Sequence, residues 1–111
     1  MAEIRFSPDA VTDLRDIGTY ISDELGNKRA SKEIVQKILK QIRLLSEFPN
    51  LGAPLSSVVD LDTHYRFLVS GSYLTFYRTE GNEVYIVRIL YGRRNYLQVL
   101  FGISSDEDKM A

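Results

Sequence analysis

Four arginines and four tyrosines interleave in the C-terminal half of this 111-residue chain: Arg66, Arg88, Arg93 and Arg94 with Tyr73, Tyr77, Tyr91 and Tyr96. Guanidinium groups on the solvent side of a concave sheet, with rings between them, can hold phosphates in fork geometry and stack on bases. The competing reading is that each arginine lies on an exposed strand face, its stem covering apolar surface. The pair Arg93-Arg94 is different. Two adjacent cations beside Gly92, straight after an apolar strand, stand where a loop presents function. From His64 to Tyr96 five arginines face two acids, although the whole chain carries a net charge of −1. The basic character is therefore local, and a general nucleic-acid coat is absent.

Other groups offer narrower chemistry. His64, the single histidine, has the side chain whose free pKa falls near neutrality, but a lone histidine at a strand start is more commonly a surface or edge residue. Tyr96 is a general base if neighbouring arginines acidify its phenol, and otherwise a packing residue. Leu44, Phe48 and Leu51 fall towards the end of a helix and could line a groove for an amphipathic partner segment, the alternative being plain core packing. The chain has no cysteine, which excludes disulfides, thiolate zinc sites and cysteine nucleophiles. No dinucleotide-binding, phosphate-loop, zincin or serine-elbow pattern is present, its carboxylates are scattered, and no cofactor or metal is expected. No apolar run approaches a membrane span and the start is no signal peptide, so no membrane contact and a cytoplasmic location are expected.

The elements that must position these residues follow from periodicity. Glu3 to Phe6 is a short strand candidate. Ser7-Pro8-Asp9 then opens a helix with a hydroxyl cap, a proline at the first turn and a carboxylate near the positive dipole end. Val11, Leu14, Ile17, Ile21 and Leu25 predict one apolar face to about residue 25, where Gly26-Asn27 stops it. Ile34, Val35, Ile38, Leu39, Ile42 and Leu45 form the stripe of a second helix, ended by Pro49, and the short connection makes the two a hairpin. The period then changes to two. His64–Val69, Ser72–Thr79 and Glu83–Leu90 read as strands joined by glycine turns, the third apolar on both faces and so expected at the sheet centre. Leu97, Val99, Leu100 and Phe101 close the ordered chain as a short helix or extended piece. The expected fold is α+β: a two-layer sandwich of N-terminal strand, antiparallel helix hairpin and three-stranded antiparallel meander with a short C-terminal segment. Residues 1–102 make one domain, and the acidic tail 103–111 is expected to be disordered.

Val87-Arg88-Ile89-Leu90-Tyr91-Gly92-Arg93-Arg94-Asn95-Tyr96 resembles the closing motif of the RelE/ParE superfamily of toxins from type II toxin–antitoxin modules, the plasmid-stabilisation type. Ile4-Arg5-Phe6-Ser7-Pro8-Asp9-Ala10 is similar to its opening, and Phe48-Pro49-Asn50-Leu51-Gly52 to the stretch after its second helix. His64–Val69 followed by Tyr73–Arg78 resembles its middle hairpin. The resemblance covers nearly the whole chain except the tail.

Two activities are implied, one for each branch of that superfamily. ParE-like members poison DNA gyrase; RelE-like members cleave messenger RNA in the ribosomal A site with basic side chains and a tyrosine or histidine. For a nuclease the resemblance points to Arg66, Arg94 and Tyr96, and for target binding to Arg66, Arg88, Arg93, Arg94, Tyr91 and Tyr96. Leu68 and Leu74 stand where the nuclease branch tends to carry bases, and a ribosome-bound nuclease draws on many cations. The ParE-like branch is therefore expected, with growth inhibition by binding gyrase. The alternatives are an mRNA endoribonuclease and an attenuated toxin acting only in antitoxin complexes. All three imply a cognate antitoxin, read as an acidic amphipathic segment over Leu44, Phe48, Leu51 and the arginines, with operator DNA reached only through it.

Overall fold

A computed structural model describes residues 1–60, 63–92 and 96–102. Strand β1 (Glu3–Phe6) leads into α1 (Pro8–Thr19), and α2 follows over Lys28–Leu44. A two-residue β2 (Ala53–Pro54) precedes β3 (Arg66–Ser70), β4 (Tyr73–Glu80) and β5 (Glu83–Tyr91), and α3 (Tyr96–Phe101) ends the described chain. The fold is α+β, as the periodicity predicts. Its sheet has five strands in the order β1-β5-β4-β3-β2. β1 runs parallel to β5, with Glu3 opposite Glu83, and the other pairings are antiparallel. β5 is interior, but β4 rather than β5 lies in the middle, because the meander continues outwards to β3 and β2.

Capping fixes both helix starts. The Ser7 hydroxyl accepts from Ala10 N at 2.9 Å while donating to Val87 O at 2.7 Å, so one side chain starts α1 and ties it to β5. Asn27 caps α2 through Ala30 N at 2.9 Å. The hairpin is closed by Ser31 Oγ donating to Gly18 O at 2.7 Å. α1 ends earlier than its apolar spacing predicts, because Tyr20–Glu24 widens into one π turn. That wider turn carries Leu25 off the stripe, leaving it 60% exposed. Of the face the sequence suggests, Ile17 and Ile21 are buried and Leu14 packs against the core, while Val11 is exposed and Ala10 and Asp13 are buried instead.

The main core lies between the hairpin and the sheet, built on Ile38, Ile42, Leu45, Leu68, Tyr77, Val84, Ile86 and Ile89. A smaller core occupies the opposite face. There Leu55, Phe76 and Leu90 are covered by Val59, Tyr65 and the residues of α3. The α3 rings anchor the cover: Tyr96 packs on Phe76 with centroids 5.2 Å apart, and Phe101 on Tyr65 at 5.4 Å.

A bulge sets which residues of β5 face which core. Tyr77 pairs with Ile86 while Phe76 pairs with Arg88, so Val87 is an extra residue without a partner on β4. An extra residue reverses the two-residue alternation. Val84 and Ile86 before it, and Ile89 after it, belong to the helix-side core, and Leu90 to the other. The strand is apolar on both faces because a core packs against each.

Candidate interaction surface

The arginines and tyrosines that the sequence groups together are dispersed by the fold. Arg88 forks onto Asp13, with Nε–Oδ2 at 2.7 Å and Nη2–Oδ1 at 2.8 Å, and the same Oδ2 accepts Ile89 N–H at 3.0 Å. The Asp13 side chain is 9% exposed and that of Arg88 20%. The fork holds the guanidinium pKa above its ordinary value despite the opposing effect of burial. Arg88 thus bolts β5 to α1 instead of lying free on an open sheet face.

Arg66 is half-buried and its Nη1 donates to Gly52 O at 2.8 Å. Tyr77, expected among the surface rings, is fully buried. Its hydroxyl donates to Pro49 O at 2.9 Å and accepts from Gly52 N at 2.8 Å. Burial raises the phenol pKa, with the Gly52 contact and Arg66 pulling the other way. Tyr73 packs against the helix-side core and tilts against Tyr91, their centroids 5.8 Å apart; burial and the neighbouring phenols Tyr91 and Tyr20 raise its pKa. Tyr96 is on the far side of the sheet against Phe76. His64 is exposed. Arg93 and Arg94 lie outside the described residues, as does the tail 103–111. Among the described residues, then, Arg66, Arg88, Tyr77 and Tyr96 each serve the scaffold, and they converge on no common phosphate site.

The apolar trio is linked through the main chain. Phe48 N donates to Leu44 O at 2.9 Å and Leu51 N to Phe48 O at 3.0 Å, so Leu44 at the end of α2 is followed by Phe48 and Leu51 on successive turns. They are 44%, 56% and 48% exposed. The stretch that carries them is clamped from below. A Cβ built on Gly52 would sit 2.6 Å from Phe67 O and 2.7 Å from the Tyr77 ring, so only glycine fits there. That requirement accounts for the glycine in the Phe-Pro-Asn-Leu-Gly stretch.

A recess opens between the hairpin and the sheet. Ile17, Ile21 and Ile34 form its floor, and Tyr20, Tyr73 and Tyr91 its rim, around a volume of about 690 Å³. Among the described residues no cluster of three histidines and carboxylates is placed to hold a metal, and no helix is long and apolar enough to cross a membrane.

Sequence reasoning missed Asp13 and the buried roles of Gly52 and Tyr77. Asp13 had a readable signal, since it shares the three- and four-residue spacing of Ala10, Ile17 and Ile21. Tyr77 had none, being one tyrosine among several in alternating strands.

The chain matches the model of a known family, described as ParE toxin of type II toxin–antitoxin system, parDE, over residues 4–96. Among solved structures it is similar to a chain from the chromosomal ParDE toxin–antitoxin system of P. aeruginosa. The TM-score is 0.67 and the identity 26%, over 82% of this chain and 96% of that one. A search of curated proteins finds no match. The family match spans both halves of the fold, from β1 to the start of α3, and the chain belongs to the ParE toxin family of type II toxin–antitoxin systems.

Proposed function

We propose that this ParE-family toxin arrests growth by binding DNA gyrase and is neutralised by a cognate antitoxin. The family match over residues 4–96 carries the reading, and the similar ParDE chain supports the antitoxin. The dispersal of Arg66 and Tyr96 supports binding over phosphodiester cleavage: Arg66 is engaged with Gly52 O and Tyr96 with Phe76, so neither stands ready at a shared scissile phosphate. In this reading target contact falls to Arg93, Arg94 and Tyr91, at and beyond the end of β5, while Arg66 and Arg88 hold the scaffold that presents them. The antitoxin lays an amphipathic segment over Leu44, Phe48 and Leu51, and operator DNA is reached only through it.

The test is pulsed expression of the isolated toxin in bacteria, with gyrase supercoiling and cleavage-complex assays beside 5′-end mapping of cellular RNA. Trapped gyrase–DNA complexes with intact messages are expected. Codon-positioned RNA ends with normal gyrase would instead make the chain a ribosome-dependent nuclease, and absence of growth arrest would make it an attenuated member.

A further inference from the structure

The stretch from Phe48 to Gly52 lies between α2 and β2, yet the sheet fixes it at both ends. One buried hydroxyl, Tyr77 Oη, uses its donor on Pro49 O and its acceptor on Gly52 N, and Arg66 reaches the remaining polar atom of Gly52, its carbonyl. A phenylalanine would fill the same core volume as Tyr77. The hydroxyl therefore acts on the turn rather than on the core. What the turn carries outward is Phe48 and Leu51, with Leu44 joined to them through the main chain.

Apolar side chains on an unheld turn sample many shapes, and only the binding-competent fraction captures a partner. The apparent affinity falls by that fraction, and the loss appears in the association rate. We propose that Tyr77 and Arg66 are positioning residues: they hold the Leu44–Phe48–Leu51 stripe preformed for an apolar segment of the antitoxin. This rests on the stripe being the antitoxin's seat.

Stopped-flow binding of a fluorescently labelled cognate antitoxin separates the two ideas. Tyr77→Phe, measured where it is fully folded, is expected to lower the association rate about ten-fold, the scale of the two modest hydrogen bonds it removes, and to leave the dissociation rate within about two-fold. Phe48→Ala, which removes a contact, is expected to raise the dissociation rate. In hydrogen exchange the Gly52 amide of Tyr77→Phe is expected to open faster while the β4 and β5 amides keep their protection, a split that general destabilisation would not give. Should Tyr77→Phe fail to fold, Arg66→Met, which keeps the stem and removes the donor to Gly52 O, carries the same expectation. An unchanged association rate in the clamp variant, with Phe48→Ala weakened, overturns the positioning role alone. Unchanged binding in both Phe48→Ala and Leu51→Ala overturns the seat and the inference with it.

Discussion

Asp13→Ala tests how the hairpin is attached to the sheet. The carboxylate accepts three hydrogen bonds, two from the Arg88 fork and one from Ile89 N–H, and it is nearly sealed from solvent. Its removal leaves a guanidinium that is four-fifths covered without a counter-ion, and a buried N–H without an acceptor. Breaking a buried pair on one side costs about 3–5 kcal/mol; Arg88 retains some access to water, which points to the lower end, about 3 kcal/mol. The orphaned amide adds about 1 kcal/mol. The expected loss is therefore about 3–4 kcal/mol, a large share of the roughly 5–15 kcal/mol of a typical domain. Urea unfolding followed by circular dichroism reads it as a fall in midpoint with the slope unchanged. The decisive variant is Asp13→Ala combined with Arg88→Met. With no charge left to strand, the double change is expected to cost less than Asp13→Ala alone, a coupling of about 2 kcal/mol. A single-variant loss below about 1 kcal/mol, or a double variant worse than either single one, refutes the view of the fork as a buried bolt.

Three further outcomes follow from the geometry. Gly52→Ala drives a methyl into Phe67 O and the Tyr77 ring, and is expected to cost about 3 kcal/mol in urea unfolding, through overpacking and loss of the Tyr77 hydrogen bonds. Burial raises the Tyr73 and Tyr77 phenols above their unfolded value near 10. The unfolded chain then loses those protons first, so their contribution is complete below about pH 10 and is lost as pH climbs through the folded values. Tyr77→Phe is expected to flatten that alkaline decline in pH-dependent urea midpoints. Phe101→Ala uncovers Tyr65 and loosens α3, and is expected to cost about 3 kcal/mol while leaving the helix-side core intact, as judged by hydrogen exchange of β1 and β5 amides.

Much of the scaffold was legible in the sequence because its signals are local. Ser7-Pro8 marks a helix start whatever surrounds it, the α2 stripe fixes its own buried face, and alternating strands with glycine turns announce a meander. The parallel pairing of β1 with β5 was not legible, since it joins residues about eighty apart and depends on no local pattern. The exposure of Leu25 was hidden for a related reason, since one π turn changes the helix phase after Thr19, and a buried Asp13 masquerades as a polar surface position. The candidate surface divides the same way. Leu44, Phe48 and Leu51 stand at the end of a readable helix, and all three are exposed there. Arg66, Arg88, Tyr77 and Tyr96 rest on residue type and resemblance, and neither says which partner each side chain finds in the fold. The Val87 bulge decides part of that distribution.

The pairing of β1 with β5 also orders events in time. Glu3 and Phe6 wait for Glu83 and Ile86, and Ser7 for the carbonyl of Val87. At roughly 5–20 residues per second of synthesis, the first strand emerges on the order of 4–16 s before its partner exists. During that interval the amphipathic hairpin has no sheet to cover it. Contacts of such long sequence separation close late and slowly. A nascent chain of this toxin is thus unable to complete its fold until residues through the last strand have left the ribosome, and its helices remain open to any binder that arrives first.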